Sequence, residues 1–166
     1  MNYLTIINQQ SIHLPSKGTL KGIYIKSCNF DFKVFSLKND FHYPNLQTLT
    51  IINSQLESIE CETFFSGSSL LSIDLSYNSL VNVEPIYKKT KHLHVEKLYL
   101  SNNRLSYLPN GLTDSFPKLK VLHINNNLIR VLHYDILKNL FNLNEFILYS
   151  FNERGNLFVD YLSFNT

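Results

Sequence analysis

The chain has 166 residues, 44% of them hydrophobic and 17% charged, and a net charge of +2. That is the length of one ordinary domain and enough apolar material for a core, which excludes a disordered chain. Acids and bases are mixed, so there is no basic footprint for nucleic acid, and no apolar run reaches the roughly 18 residues that cross a bilayer.

The first residues, Met1 to Asn8, carry no basic n-region and do not read as a secretory signal peptide. Within them Leu4–Asn8 spells LTIIN, and the same five letters recur at Leu49–Asn53. Between and beyond these copies one template repeats. It runs Leu20-x-x-Ile23-x-Ile25-x-x-Cys28-x-Phe30, then Leu46-x-x-Leu49-x-Ile51-x-x-Ser54-x-Leu56. Next come Leu70-x-x-Ile73-x-Leu75-x-x-Asn78-x-Leu80 and Val95-x-x-Leu98-x-Leu100-x-x-Asn103-x-Leu105. Leu119-x-x-Leu122-x-Ile124-x-x-Asn127-x-Ile129 follows, and Leu143-x-x-Phe146-x-Leu148 is a decayed last copy. The register residues Leu4, Ile23, Leu49, Ile73, Leu98, Leu122 and Phe146 are spaced 19, 26, 24, 25, 24 and 24 apart. A fixed period of this size is the mark of a solenoid.

Each unit opens with alternation, which predicts a short strand with one buried face. Leu98 and Leu100 are expected inside, with Lys97, Tyr99 and Ser101 outside. The second half of each unit supplies the opposite side. Leu108, Leu112 and Phe116 are matched one unit later by Leu132, Ile136 and Leu140, and Ile59 and Phe64 take this role earlier. Pro109 and Pro117 argue against regular helix there and predict short turns or 3₁₀ pieces. The stretch 136–140 has room for one helical turn.

The template L-x-x-L-x-L-x-x-N/C-x-L resembles the leucine-rich repeat family, well over residues 20–150 and poorly at 1–19 and 151–166. The resemblance implies one α/β domain over 1–166. Its fold is a leucine-rich repeat solenoid, a horseshoe arc with a parallel concave sheet of about six or seven short strands and an irregular convex side. It implies a structural ladder of Asn78, Asn103 and Asn127, with Ser54 and Cys28 substituting in the earlier units. Units of 24 residues resemble the extracellular animal class, such as Toll-like receptors and related adhesion and secreted proteins. Extracellular members of the family usually close their ends with cysteine-rich caps, and Cys28 and Cys61 do not make one. The expectation is therefore a piece of a longer protein, with a small self-capping protein as the alternative. Leu157–Phe164 reads as a degenerate cap or the start of a further unit.

No catalytic constellation, phosphate loop or nucleophile elbow is present in the sequence. His92-x-His94 has metal-like spacing without the companions a site needs. Lys88-Lys89-Thr90-Lys91 reads as a solvated loop. These readings give no catalytic, cofactor-binding or metal residues and a non-enzymatic protein–protein recognition module. The expected partner-binding residues are the outward positions of the concave sheet: Tyr24, Thr50, Asp74, Tyr77, Lys97, Tyr99, His123, Asn125 and Tyr149. The partner is a protein ligand or receptor, with no nucleic acid and no membrane span in this chain. An extracellular or cell-surface setting fits the unit length. The alternatives are an intracellular scaffold or adaptor, cytoplasmic if Met1 is the true start, or a targeting arm for an enzyme domain absent from the chain. The lack of any Asn-x-Ser/Thr sequon leans toward the intracellular reading.

Overall fold

The computed structural model describes residues 2–10, 12, 14, 18–29, 34–36, 43–60, 69–87, 94–132, 136, 143–148 and 158–159. Its strands are β1 (Tyr3–Ile7), β2 (Gly22–Lys26), β3 (Val34–Ser36), β4 (Thr48–Ile52), β5 (Ser58–Glu60), β6 (Ser72–Asp74), β7 (Lys97–Tyr99), β8 (Val121–His123), β9 (Val131–Leu132), β10 (Glu145–Ile147) and β11 (Phe158–Val159). Seven of them form one sheet in the order β1-β2-β4-β6-β7-β8-β10. Every pairing is parallel, and the register joins Leu4, Ile23, Leu49, Ile73, Leu98, Leu122 and Phe146 rung by rung. These are the positions the repeat template assigns, so both LTIIN copies are strands of this sheet with β2 between them.

The alternation explains the core. Leu49, Ile73, Leu98 and Leu122 have no exposed surface, and neither do Ile51, Leu75 and Leu100 two residues on. Burying a side chain of this size contributes about 1.5–3 kcal/mol, so the apolar stack holds the coils in register. Leu4 and Phe146, on the outer strands, are only partly buried against the same core.

On the convex side, Ile59, Leu108, Leu112, Phe116, Leu132 and Ile136 are buried as the pattern requires. Phe64 and Leu140 lie outside the described residues. Two four-residue α-helical turns, Glu84–Tyr87 and Leu112–Ser115, supply short turns of the kind expected on this side, with α rather than 3₁₀ geometry. Pro109 precedes the second turn and Pro117 follows it, so neither ring removes an internal hydrogen bond. Gly111, at φ 95°, reverses the chain ahead of it, with Leu112 N donating to Pro109 O at 3.2 Å. On the flank between the faces, β3 pairs with β5 and β9 with β11. Phe158–Val159 therefore runs along the flank of the coil that begins with β10. It is not a further rung of the concave sheet.

The asparagine ladder ties each coil to the one before it. Asn103 Oδ1 accepts from Leu80 N, and its Nδ2 donates to Leu75 O and Leu100 O, all at 3.0 Å. Asn127 does the same with Leu105 N at 3.0 Å and with Leu100 O and Ile124 O at 2.9 Å. Asn78 accepts from Ser54 N at 3.0 Å and donates to Ile51 O at 2.7 Å. Where serine substitutes, Ser54 Oγ donates to Ile52 O at 2.9 Å and accepts from Cys28 N at 3.2 Å. Cys28 is a buried free thiol that accepts from Gln9 N at 3.4 Å.

Candidate binding face

Strand pairing builds the face. Thr5, Tyr24, Thr50, Asp74, Tyr99, His123 and Ile147 form its middle column, one residue per rung. Neighbouring rungs are about 4.8 Å apart, so side chains three rungs away still share one patch. The column runs from hydroxyl and aromatic residues at its start to ionisable residues at its centre.

That centre is the most organised part. The Tyr99 and His123 rings meet edge to face, with centroids 4.9 Å apart and planes at 86°. His123 Nε2 lies 2.8 Å from Glu145 Oε1, one rung further and one column across. Asp74 Oδ1 accepts from Ser76 N at 2.9 Å, which fixes the carboxylate beside Tyr99. Partial burial holds the Tyr99 phenol above its ordinary pKa, and the Glu145 and Asp74 carboxylates push it the same way. On the flank, Lys120 Nζ sits 2.8 Å from Glu96 Oε1. That hydrogen bond is the main reason the Glu96 carboxyl lies below the usual carboxylate range.

The predicted residues divide into groups. Tyr24, Thr50, Asp74, Tyr99 and His123 share the column, and Lys97 stands exposed one column over. Tyr77 is 61% exposed but lies past the end of β6, on the rim, at φ 57°. Asn125 also lies past its strand, where it accepts from Ser101 Oγ at 2.6 Å. Tyr149 is outside the described residues. One further outward expectation is corrected: Ser101 is buried at 8% exposure, as is its equivalent one unit earlier, Ser76, at 7%. Their strands end at Asp74 and Tyr99, so alternation no longer governs them, and a small hydroxyl fits under the next coil.

Glu145 is not among the partner-binding residues named from the sequence, although it completes the His123 contact. Sequence reasoning also passed over Tyr3, which is 63% exposed. The glycine inside β2 was the available signal, since a glycine in a strand marks a close approach. Among the described residues no cluster of His, Cys, Asp and Glu could hold a metal ion, and no helix is long and apolar enough to cross a membrane. His92, Cys61 and Lys88–Lys91 are outside the described residues.

Parallel rungs tied together by an internal asparagine ladder define a solenoid repeat protein. The chain belongs to the leucine-rich repeat family. A profile described as "Leucine rich repeat" matches residues 44–86, and one described as "Leucine Rich repeats (2 copies)" matches 93–140. Fibromodulin from Bos taurus is 33% identical over 130 residues, covering 70% of this chain and 31% of that protein. Podocan from Mus musculus is 35% identical over 170 residues, covering 90% of this chain and 27% of its own length. Leucine-rich repeats and immunoglobulin-like domains protein 2 from Mus musculus is 32% identical over 85 residues, covering 51% of this chain and 8% of that protein. The chain thus spans less than a third of the length of these relatives.

Proposed function

We propose that the chain is a non-enzymatic recognition module that binds a partner protein on its concave sheet face, as part of a secreted or cell-surface protein. The observation that carries this reading is the central group of Asp74, Tyr99, His123 and Glu145. It gathers an aromatic pair and two carboxylates on a rigid parallel sheet. Tyrosine supplies large contact area at low entropy cost, which suits a binding surface. Rigid strands keep these side chains in place before a partner arrives, so little ordering cost is added on association. The relatives are secreted or cell-surface proteins, which favours the extracellular setting.

The test is a binding screen of the chain against an arrayed set of extracellular protein domains, followed by variants. Tyr99→Ala and His123→Ala should weaken every genuine hit by at least about tenfold, while Tyr107→Ala, at an exposed position off this face, should not. Hits that keep their affinity in both concave variants and lose it in Tyr107→Ala would move the binding surface off the sheet.

A further inference from the structure

The opening rungs carry a second, chemically different surface. At the first outward position of the sheet, Tyr3, Gly22, Thr48 and Ser72 lie side by side. A Cβ on Gly22 would lie 2.5 Å from Tyr3 Cδ1, 2.7 Å from Tyr3 Cε1 and 2.5 Å from Thr48 Oγ1. The missing side chain is what lets the Tyr3 ring and the Thr48 hydroxyl close over the strand. The ring is therefore braced from below and still 63% exposed.

The hydroxyls of Thr5, Tyr24, Thr48, Thr50 and Ser72 occupy outward positions of the same four strands, Thr48 nearest the ring across Gly22. Among the described residues none of them bonds to a protein group, whereas Ser54, Ser101 and Ser115 all do. Strands β1, β2 and β4, with sequences YLTII, GIYIK and TLTII, contain no carboxylate and one charge, Lys26 at an end. A braced aromatic ring beside a row of free hydroxyls, with almost no charge, matches a ligand with one apolar face and many groups that both donate and accept. We infer that β1, β2 and β4 form a shelf for a neutral oligosaccharide, one sugar ring stacked on Tyr3 and its neighbours bonded to Thr48, Thr50 and Tyr24. Three rungs span about 10 Å, the reach of a di- or trisaccharide.

This shelf is independent of the protein-binding centre at Tyr99, and the variants separate the two. The experiment is a titration of the whole chain with cellotriose, chitotriose and maltotriose, followed by backbone amide chemical shifts. At least one sugar should give a saturable response confined to β1, β2 and β4. Tyr3→Ala should weaken that response about tenfold, Thr48→Val should weaken it while keeping the shape, and Tyr99→Ala should leave it unchanged. The assignment is overturned by no saturable response to any of the three sugars, or by a response that survives Tyr3→Ala. It is also overturned if a proline-rich peptide shifts these residues while the sugars do not.

Discussion

The early and central rungs of the sheet end differently. Strands β2 and β4 pair over five residues, from Gly22↔Thr48 to Lys26↔Ile52, while β6 and β7 pair over three, from Ser72↔Lys97 to Asp74↔Tyr99. In the central rungs the next carbonyls in line, Leu75 O and Leu100 O, are taken by side-chain amides from their own coil and the following one. In the early rungs the residues at that place are Cys28 and Ser54. Their short side chains reach Lys26 O and Ile52 O in their own strands, with a weak contact from Cys28 Sγ to Ile6 O at 3.7 Å. Backbone pairing therefore continues there. An asparagine amide, in this fold, replaces the backbone donor at the end of a strand and binds two coils at once.

The largest effect should come from what both regions share. Leu98→Ala opens a cavity in the fully buried stack and should cost about 2–5 kcal/mol in a urea melt. Leu4→Ala, at a position only partly buried, should cost clearly less. A second variant addresses the difference itself. Asn103→Ala strands Leu80 N–H and takes one of two amide donors from each of the Leu75 and Leu100 carbonyls, and should cost about 3 kcal/mol; Cys28→Ala, with weaker sulfur contacts, should cost about 1 kcal/mol. Equal losses would remove the distinction drawn between the two kinds of rung.

Converting one kind into the other sharpens the contrast. Cys28→Asn should add about 1 kcal/mol of stability if the buried site accepts the amide. It should also shorten the β1–β2 ladder. The Lys26 amide, which in a parallel ladder of this register donates to Ile6 O, should lose hydrogen-exchange protection even as the chain becomes more stable. A rise in both quantities would mean that the amide adds to backbone pairing and does not replace it.

The same contrast explains what could be read from the sequence. The stack of Leu49, Ile73, Leu98 and Leu122 was legible because alternation and period depend only on which residues are apolar. Ser101 was misplaced because the template does not say that an asparagine ends the strand before it. A short turn between Pro109 and Pro117 was legible from the prolines; that Leu112–Ser115 closes it as a single α-helical turn depends on both prolines standing outside it. At the candidate site the column of Tyr24, Thr50, Asp74, Tyr99 and His123 follows from register alone. The diagonal contact of His123 with Glu145 depends on side-chain rotamers, which no repeat pattern encodes.

The smallest effect concerns the rim, where six of the seven rungs, those whose exit residue is described, leave the strand through a left-handed residue: Asn8, Ser27, Asn53, Tyr77, Asn102 and Asn126, all with φ between 51° and 57°. Asparagine tolerates this conformation because its short side chain bonds locally, and other residues pay a steric penalty. Two side-chain links run along the rim, Asn126 Nδ2 to Asn102 Oδ1 and Asn53 Nδ2 to Ser27 Oγ, both at 3.0 Å. Tyr77 sits between them as the one aromatic residue in the row. Tyr77→Asn should therefore raise stability by up to about 1 kcal/mol, read as a higher melting temperature. Tyr77→Ala keeps the unfavourable backbone and should show no gain. If alanine stabilised the chain as much as asparagine does, the gain would come from removing an exposed ring, and the rim would set no preference for asparagine at all.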